Sequence, residues 1–482
     1  MAQYQQCENK NNTHAGSVVS LCTCTFVQAY LLISLFPYAG FMSMQLIPTL
    51  TEDTAGTYAG LIASAFMVGR AVSAYPWGII CDIYGRKPAL IGSLVLSALF
   101  SFLFGISTSF LSALMMRFCL GFCNSLQATV KTVVTEIAKG DERLEARGTG
   151  LVVGMRGIGL LLSPAIGGLL ANPMKQYPDA VPAFSEDVLS RFPYFLPNLI
   201  GSIFCILSAL SVEALVEETL VENRSVKYFC GDIFKYTRRK ISKMIEHQPS
   251  SSEESQSLDV NTNDSHGTMN QSSDQLNGNN KEPPMAAIWR RDSTRHHLMA
   301  YWLFSFVVVA VDEAFPLYCI AALSLSEASI GTILSVSGVL FAIAQYCTFA
   351  TLVSQLGLYR ATTVGAFLGV PLMTLIPIAN VLYHADQRIP AYSVLAILMG
   401  LSKVFSCLCF AGLAIMTNRT VPASLRATTN GLSGVGGSVA KAFGPLFAGC
   451  LVSLSFSIWG GSLLIWSTIG LLGVTVYLYM AR

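Results

Sequence analysis

Charged side chains lie inside the longest apolar stretches of this 482-residue sequence. An ionisable group within a lipid bilayer is costly, so such residues generally face a water-filled cavity or pair with one another. The cations of these stretches are Arg70, Arg117, Lys131, Arg156, Lys403 and Lys441. The acids are Asp312, Glu313 and, near one end of a stretch, Glu136. This surplus of positive charge predicts a cavity that attracts carboxylates and repels bare metal cations.

Two of the apolar stretches carry a polar stripe when they are drawn as helices at roughly 100° per residue. The first stripe comprises Arg117, Gly121, Asn124 and Lys131. The second comprises Asn430, Gly434, Gly437 and Lys441. Any one of these charges could instead form a structural ion pair or extend to the membrane surface. For Arg117 and Lys441 we favour a central cavity, because the two stripes belong to different halves of the chain. Arg70 is a further candidate for this cavity.

The two neighbouring acids are candidates for a coupling site. Glu313 lies within an apolar stretch, where an acid can bind and release a proton during a conformational cycle. Asp312 points about 100° away from Glu313 on a helix and is expected to pair with a cation on another helix.

The composition restricts the class of protein. The chain is 52% hydrophobic and only 12% charged, with a mean hydropathy of +0.54. Soluble domains carry about 25% charged residues, so a multi-pass membrane protein fits best. The net charge of +2 gives no reason to expect nucleic-acid binding. The 13 cysteines are scattered, which predicts neither a disulfide framework nor a metal site. Without a nucleotide-binding loop or other catalytic motif, we expect no enzyme, no cofactor and no ATP-driven pump.

The order of the apolar runs predicts an all-α membrane protein with twelve transmembrane helices in two six-helix bundles. Each run is near the roughly 20 residues that a bilayer core requires. We expect an N-terminal tail at 1–22 without a cleavable signal peptide, a first bundle at 23–215 and a second at 298–480. The predicted helices span 23–47, 56–81, 88–107, 110–135, 148–171, 194–215, 298–321, 328–350, 361–380, 392–416, 427–452 and 457–480.

The segment between the bundles, 216–297, is expected to be a largely disordered linker. Its Ser/Asn/Gln/Asp-rich part holds too few apolar residues to form a core. Its basic part, 227–243, either lies on an anionic membrane surface or is a solvated tether. Most of the 30 Lys and Arg residues fall on one side if both termini and the linker are cytoplasmic, as the positive-inside rule requires. We expect the plasma membrane or a vacuolar/lysosomal-type membrane.

A short loop between the second and third runs reads Gly78-x-x-x-Asp82-x-x-Gly85-Arg86-Lys87. Its glycines permit a tight turn, and its basic pair favours the cytoplasmic side. The pattern resembles the signature loop of the major facilitator superfamily, although a generic basic loop is the alternative. The resemblance implies two bundles that rock about a central site, with the Asp pairing across a helix contact that holds one conformation closed.

The fifth run carries a second motif, which consists of Gly150, Gly159, Ser163, Pro164, Gly167 and Gly168. It resembles the antiporter motif of drug/proton-antiporter-like facilitators, with Ser163 where that pattern has Gly. Its glycines allow close helix packing, and Pro164 removes a backbone donor. The alternative is a packing face of small residues that has no role in transport.

Further residues narrow the resemblance to the zinc-induced-facilitator-like proteins. The matching segments are Phe66–Ala71, Arg117–Gly121, Gln176–Pro178, Asn430-Gly431 and Lys441–Pro445. The N-terminal Cys-Pro-Gly-Cys element of the plant proteins is absent. The resemblance implies secondary transport, proton-coupled through Glu313, of a small organic solute such as a carboxylate, zwitterion or metal chelator, by a monomer. The alternatives are a non-transporting nutrient sensor and an exporter of cationic drugs or metal ions.

Overall fold

The computed structural model describes residues 2–124, 126–138, 142–182, 186–219, 288–457 and 461–481. These residues form helices and connecting turns, without a strand among them. The helices of the first half are α1 (Ala2–Ile33), α2 (Ala39–Leu46), α3 (Ala55–Tyr84), α4 (Arg86–Gly105), α5 (Phe110–Cys123), α6 (Leu126–Ala138), α7 (Glu142–Leu170), α8 (Pro173–Gln176), α9 (Glu186–Arg191) and α10 (Phe195–Leu215). Those of the second half are α11 (Asp292–Leu323), α12 (Glu327–Leu356), α13 (Leu358–Gly369), α14 (Pro377–His384), α15 (Arg388–Arg419), α16 (Ala423–Ser457) and α17 (Gly461–Ala481).

Eleven helical segments of the described chain are long and apolar enough to cross a membrane. The shorter apolar helix α5 lies at the position of the fourth predicted span and completes the twelve. The predicted all-α membrane fold is therefore confirmed. Of the predicted linker, only the residues up to Thr219 and from Ile288 onward are described. The rest of that prediction lies outside the described residues.

Three of the predicted helices are interrupted. The first apolar span begins at Ala15 rather than at residue 23, and it ends at Ile33. Pro37 lies in the turn that follows and cannot donate a helical hydrogen bond, so α2 forms a separate helix. The predicted helix at 361–380 is likewise divided by Pro371 and Pro377 into α13, a 3-10 segment at Pro371–Leu375 and α14.

The break in the fourth predicted helix, 110–135, has a different basis. Asn124 follows the last residue of α5 and has non-helical backbone angles, φ −88° and ψ 75°. Its buried amide group has no hydrogen-bond partner among the described residues. Helix α6 then continues from Leu126. Because the two helices are separate, residues before and after Asn124 need not share the face that one continuous helix would give them.

The two halves contact each other closely at one end, which we call the closed end. There α3 packs against α16, and α7 packs against α12. A Cβ atom at Gly60 would overlap the carbonyl oxygen of Pro445, and a Cβ atom at Gly168 would overlap that of Glu327. The hydroxyl of Ser453 accepts a hydrogen bond from the backbone N–H of Thr57 at 3.1 Å. The absence of side chains at these glycines lets the backbones meet.

The same helices separate at the other end, which we call the open end. A Cβ atom at Gly78, at Gly150 or at Gly434 would have no atom within 4 Å. These three positions lie on α3, α7 and α16, the helices that are in contact at the closed end. The close backbone contacts of the closed end are therefore missing at these three positions, near the loop that joins α3 to α4.

Candidate functional site

Four cationic side chains, contributed by both halves, lie within electrostatic reach of one another. We call Arg70, Lys131, Arg156 and Lys441 the cation cluster. The charged groups near enough to act on Lys441 are Arg156, Arg70, Lys131 and Asp312. Lys441 belongs to α16, whereas the other three cations belong to α3, α6 and α7. The cluster therefore lies across the boundary between the two halves.

Few hydrogen-bond partners of the cation cluster are found among the described residues. Arg70 donates to the amide oxygen of Gln127 at 3.1 Å. The Nη1 atom of Arg156 is buried and has no hydrogen-bond partner among the described residues. Tyr301 of α11 lies within electrostatic reach of Arg156. The sequence identifies Arg156 as a charge within an apolar stretch but does not assign it to the site.

Asp312 is an acid within electrostatic reach of Lys441, and it also pairs with a cation outside the cation cluster. Its Oδ1 atom lies 3.9 Å from the Nζ atom of Lys403 on α15. This ion pair joins two helices of the second half, as expected for an acid paired with a cation on another helix. The cluster therefore keeps a surplus of positive charge.

Glu313 and Arg117 are a second set of charged residues, both buried and one from each half. Glu313 is 1% exposed, and its Oε2 atom has no hydrogen-bond partner among the described residues. The charged groups near enough to act on Glu313 are Arg117, in the other half, and Asp312. A buried acid and a buried base from different halves therefore lie within electrostatic reach of each other.

Arg117 is fixed by contacts within the first half. It is 2% exposed and donates to the carbonyl oxygens of Leu31 at 2.9 Å and Leu32 at 3.3 Å, in the last turn of α1. Its guanidinium group lies 4.7 Å from the ring centroid of Phe66. The expectation that Arg117 and Lys131 share one polar stripe is wrong, because the helix breaks at Asn124 and Lys131 is exposed. Asn430 is also exposed, toward the open end.

The signature loop is held by acids that the sequence reading did not assign to the site. Gly85 joins α3 to α4 with φ +104°, a conformation that favours glycine. The Glu218 carboxylate accepts the backbone N–H groups of Arg86 at 2.9 Å and Lys87 at 3.0 Å, at the start of α4. Arg86 also pairs with Glu136 of α6 at 3.0 Å. Asp82 lies within α3, and its side chain is outside the described part of the structure.

The residues of the antiporter-like motif divide between the two ends. Gly167 packs against the backbone of Ser34, and Gly168 packs against that of Glu327 at the closed end. Ser163 is buried and donates to the carbonyl oxygen of Gly159, which satisfies its hydroxyl. The close contacts of Gly168 agree with a motif that lets α7 approach α12.

Comparisons with known proteins agree with this architecture. The sequence profile of the Major Facilitator Superfamily matches residues 29–239. A probable peptide/nitrate transporter of Arabidopsis thaliana is 31% identical over 446 residues, which cover 90% of this chain and 82% of that protein. The zinc induced facilitator-like 1 protein of the same plant is 28% identical over 451 residues, which cover 91% and 83%.

A crystal structure shows the same fold. The D-xylose–proton symporter matches with a TM-score of 0.68 at 12% identity, and the match covers 97% of each chain. The two-bundle architecture, the signature loop and the relative with 31% identity lead to one family assignment. This chain belongs to the Major Facilitator Superfamily, as a multi-pass secondary transporter rather than an enzyme, and it resembles the zinc-induced-facilitator-like proteins.

Proposed function

We propose that this transporter moves a small carboxylate-bearing solute, such as an organic anion or a zwitterionic chelator, in exchange for protons. The observation that carries the proposal is the cation cluster between the halves, whose charges exceed those of the acids around it. A site with surplus positive charge concentrates anions and repels free metal cations. One relative is named for peptides and nitrate, both of which carry an anionic group.

The geometry of Arg156 and Lys441 suits an anionic ligand. The guanidinium group of Arg156 has a buried nitrogen without a partner among the described residues. The N–H groups of a planar guanidinium can bind both oxygens of a carboxylate. Lys441 supplies a compact positive charge from the opposite half. A solute held by both residues would contact both bundles. Its release would then accompany their relative movement, as alternating access about a central site requires.

Glu313 is the proposed proton carrier. Its buried carboxyl group has an unpartnered oxygen and lies within reach of the Arg117 charge in the other half. Protonation would weaken this attraction between the halves, so the charge state of Glu313 would influence which end is closed. We do not assign Arg117 to solute binding, because both of its terminal nitrogens already donate to carbonyl groups of α1, and only its buried Nε atom has no partner among the described residues.

Orientation and assembly belong to the same proposal. The open end carries Arg86 and Lys87, so we infer from the positive-inside rule that it faces the cytoplasm together with both termini. The described conformation is then inward-open, in a monomer in the plasma membrane or in a vacuolar/lysosomal-type membrane. Labelling of a cysteine introduced at exposed Asp53 from the external or lumenal side only would support this orientation.

Reconstituted protein tests the solute class. We expect a labelled carboxylate to be taken up by proteoliposomes and to be displaced by other carboxylates, but not by amines or free zinc. Lys441→Gln and Arg156→Gln should each weaken uptake by about tenfold, the effect of losing roughly 1.4 kcal/mol of binding. Arg360→Gln is the matched control, because Arg360 is exposed and lies outside the cluster.

Inhibition by amines or bare zinc, with carboxylates inert, would instead indicate a cationic drug or metal exporter. Absence of flux for every solute of the panel would favour the non-transporting sensor. For the proton, Glu313→Gln should abolish accumulation driven by a pH gradient while solute exchange continues. Accumulation by this variant at the wild-type rate would exclude Glu313 as the carrier.

A further inference from the structure

A second buried carboxyl group lies where the two halves meet at the closed end. Glu327 is the first residue of α12, and only 1% of it is exposed. Its backbone carbonyl lies against Gly168 of α7, so the residue stands on the boundary between the halves. Its Oε2 atom is buried without a hydrogen-bond partner among the described residues. A buried ionised carboxylate needs partners for its oxygens, which makes the neutral form the stable one here.

A second unpartnered oxygen lies beside the same glycine. The amide nitrogen of Gln176 donates to the carbonyl oxygen of Gly168 at 3.0 Å and to that of Ala171. These two bonds fix the orientation of the amide, and the Oε1 atom of Gln176 is left buried and without a partner in the described structure. The closed end therefore contains two buried oxygens, Glu327 Oε2 and Gln176 Oε1, that accept no hydrogen bond from the described residues. A proton on Glu327 removes the charge from one of them.

The other charged and titratable groups near Glu327 do not compensate for its burial. Lys175 of α8 is within electrostatic reach but is exposed to solvent, where its charge is screened. Tyr194 is buried within electrostatic reach of Glu327 and stacks on Tyr38 with ring centroids 5.2 Å apart. Glu327 also accepts a hydrogen bond from its own backbone N–H at the start of α12. A helix terminus offsets only part of the cost of burying a carboxylate.

We propose that Glu327 is a proton-binding site within the closed end, neutral while the halves touch there and ionised when they part. This site is separate from the solute site and from Glu313, so it goes beyond the proposed exchange. It would make opening of this end respond directly to the pH of the compartment that this end faces.

The direction of the response follows from linkage. The closed form holds a proton on Glu327, and the open form exposes the carboxyl to water, where it releases the proton. Raising the pH therefore favours opening, and lowering the pH favours closure. The ratio of open to closed molecules should change by about tenfold per pH unit over the range in which only the exposed carboxyl is ionised.

The distance between two labels at the closed end measures this equilibrium without any solute. Val188 on α9 and Ser457 at the end of α16 are exposed and belong to different halves. Spin labels on genetically encoded, thiol-independent side chains at these positions leave the native cysteines in place. Pulsed dipolar spectroscopy of the full-length protein in nanodiscs then gives the fraction of long distances as a function of pH.

We expect the long-distance fraction of the wild-type protein to rise with pH. In Glu327→Gln, which mimics the protonated form, it should stay low at every pH. Glu327→Asp keeps a titratable group and should retain a pH response. Asp53→Asn removes an exposed carboxylate from the same end and should leave the wild-type response unchanged.

Two results would overturn the proposal. One is a wild-type distance distribution that does not change with pH. The other is a Glu327→Gln protein that keeps the wild-type response. If the response disappears in Glu313→Gln but persists in Glu327→Gln, the proton carrier of the proposed exchange is supported and the Glu327 site is rejected. The two proposals can therefore fail independently.

Discussion

The closed and open ends of the molecule are stabilised by different kinds of contact. At the closed end, the halves meet through backbone atoms at Gly60 and Gly168, where any side chain would collide. At the open end, the first half is held together by charged groups: Glu218 binds the start of α4, and Arg86 pairs with Glu136. Steric fit decides whether one end can close, whereas electrostatics organise the loop at the other end.

This contrast indicates how a transporter can close each end in turn. Contacts between small residues are stabilised mainly by van der Waals packing of closely approaching backbones. Such contacts can form and separate without breaking strong bonds. Charge-assisted hydrogen bonds are stronger and directional, and they can hold a loop in one arrangement. The three variants that follow test this difference, beginning with the largest expected effect.

Disrupting the closed end should have the largest effect. Gly168→Leu places a side chain where the backbone of Glu327 lies, so the halves cannot close and transport should fall to the background level. Solute flux in proteoliposomes measures the loss, and distances between labels at Val188 and Ser457 should lengthen. Gly157→Leu is the control on the same helix, because a Cβ atom there has no neighbour within 4 Å. Equal flux in the two variants would contradict the steric role of Gly168.

The signature loop allows a test of the electrostatic end. Asp82→Asn removes one charge from this loop, which by resemblance stabilises the outward-facing state. We expect flux to fall by more than about tenfold, because a hydrogen bond to a charged group contributes roughly 1.5–3 kcal/mol. The amount of protein in the membrane should be unchanged. Normal flux in well-expressed Asp82→Asn protein would show that the loop does not act as a gate.

A smaller effect is expected at Glu218. Its carboxylate caps two backbone N–H groups of α4, so Glu218→Ala should lower stability by about 1 kcal/mol, the typical loss of a helix cap. The apparent Tm of the purified protein reports this change. Glu217→Ala removes the neighbouring exposed carboxylate and should have little effect. A larger loss in Glu217→Ala than in Glu218→Ala would refute the capping role.

The sequence predicts the fold well because the fold depends on a strong local signal. Twelve long apolar runs and the two motifs indicate the two-bundle transporter before any tertiary contact is known. The interruptions at Pro37, Pro371 and Pro377 also had a visible signal, since proline lacks the backbone donor that a helix interior needs. The break at Asn124 had a weaker one, because asparagine is only mildly unfavourable within helices.

The site is less predictable, because its contacts join distant parts of the chain. A helical projection placed Arg117 and Lys131 on one stripe, but only the tertiary structure shows Arg117 bound to carbonyl groups of α1. Glu218 contacts a loop that lies more than 100 residues earlier. In the sequence, Glu327 is an ordinary acid near the start of a helix, and only the packing of α7 against its backbone reveals its position between the halves. A single sequence contains no local pattern that predicts such contacts between distant segments.

Equilibrium binding of a labelled tricarboxylate to the purified protein tests the central claim, recognition of anions by the cation cluster, most directly. We expect saturable binding to the wild-type protein that weakens as salt is raised, since added ions screen the charges. Lys441→Gln should bind more weakly, and Arg360→Gln should bind as the wild type does. Binding that is indifferent to salt and unchanged in Lys441→Gln would contradict recognition by the cluster.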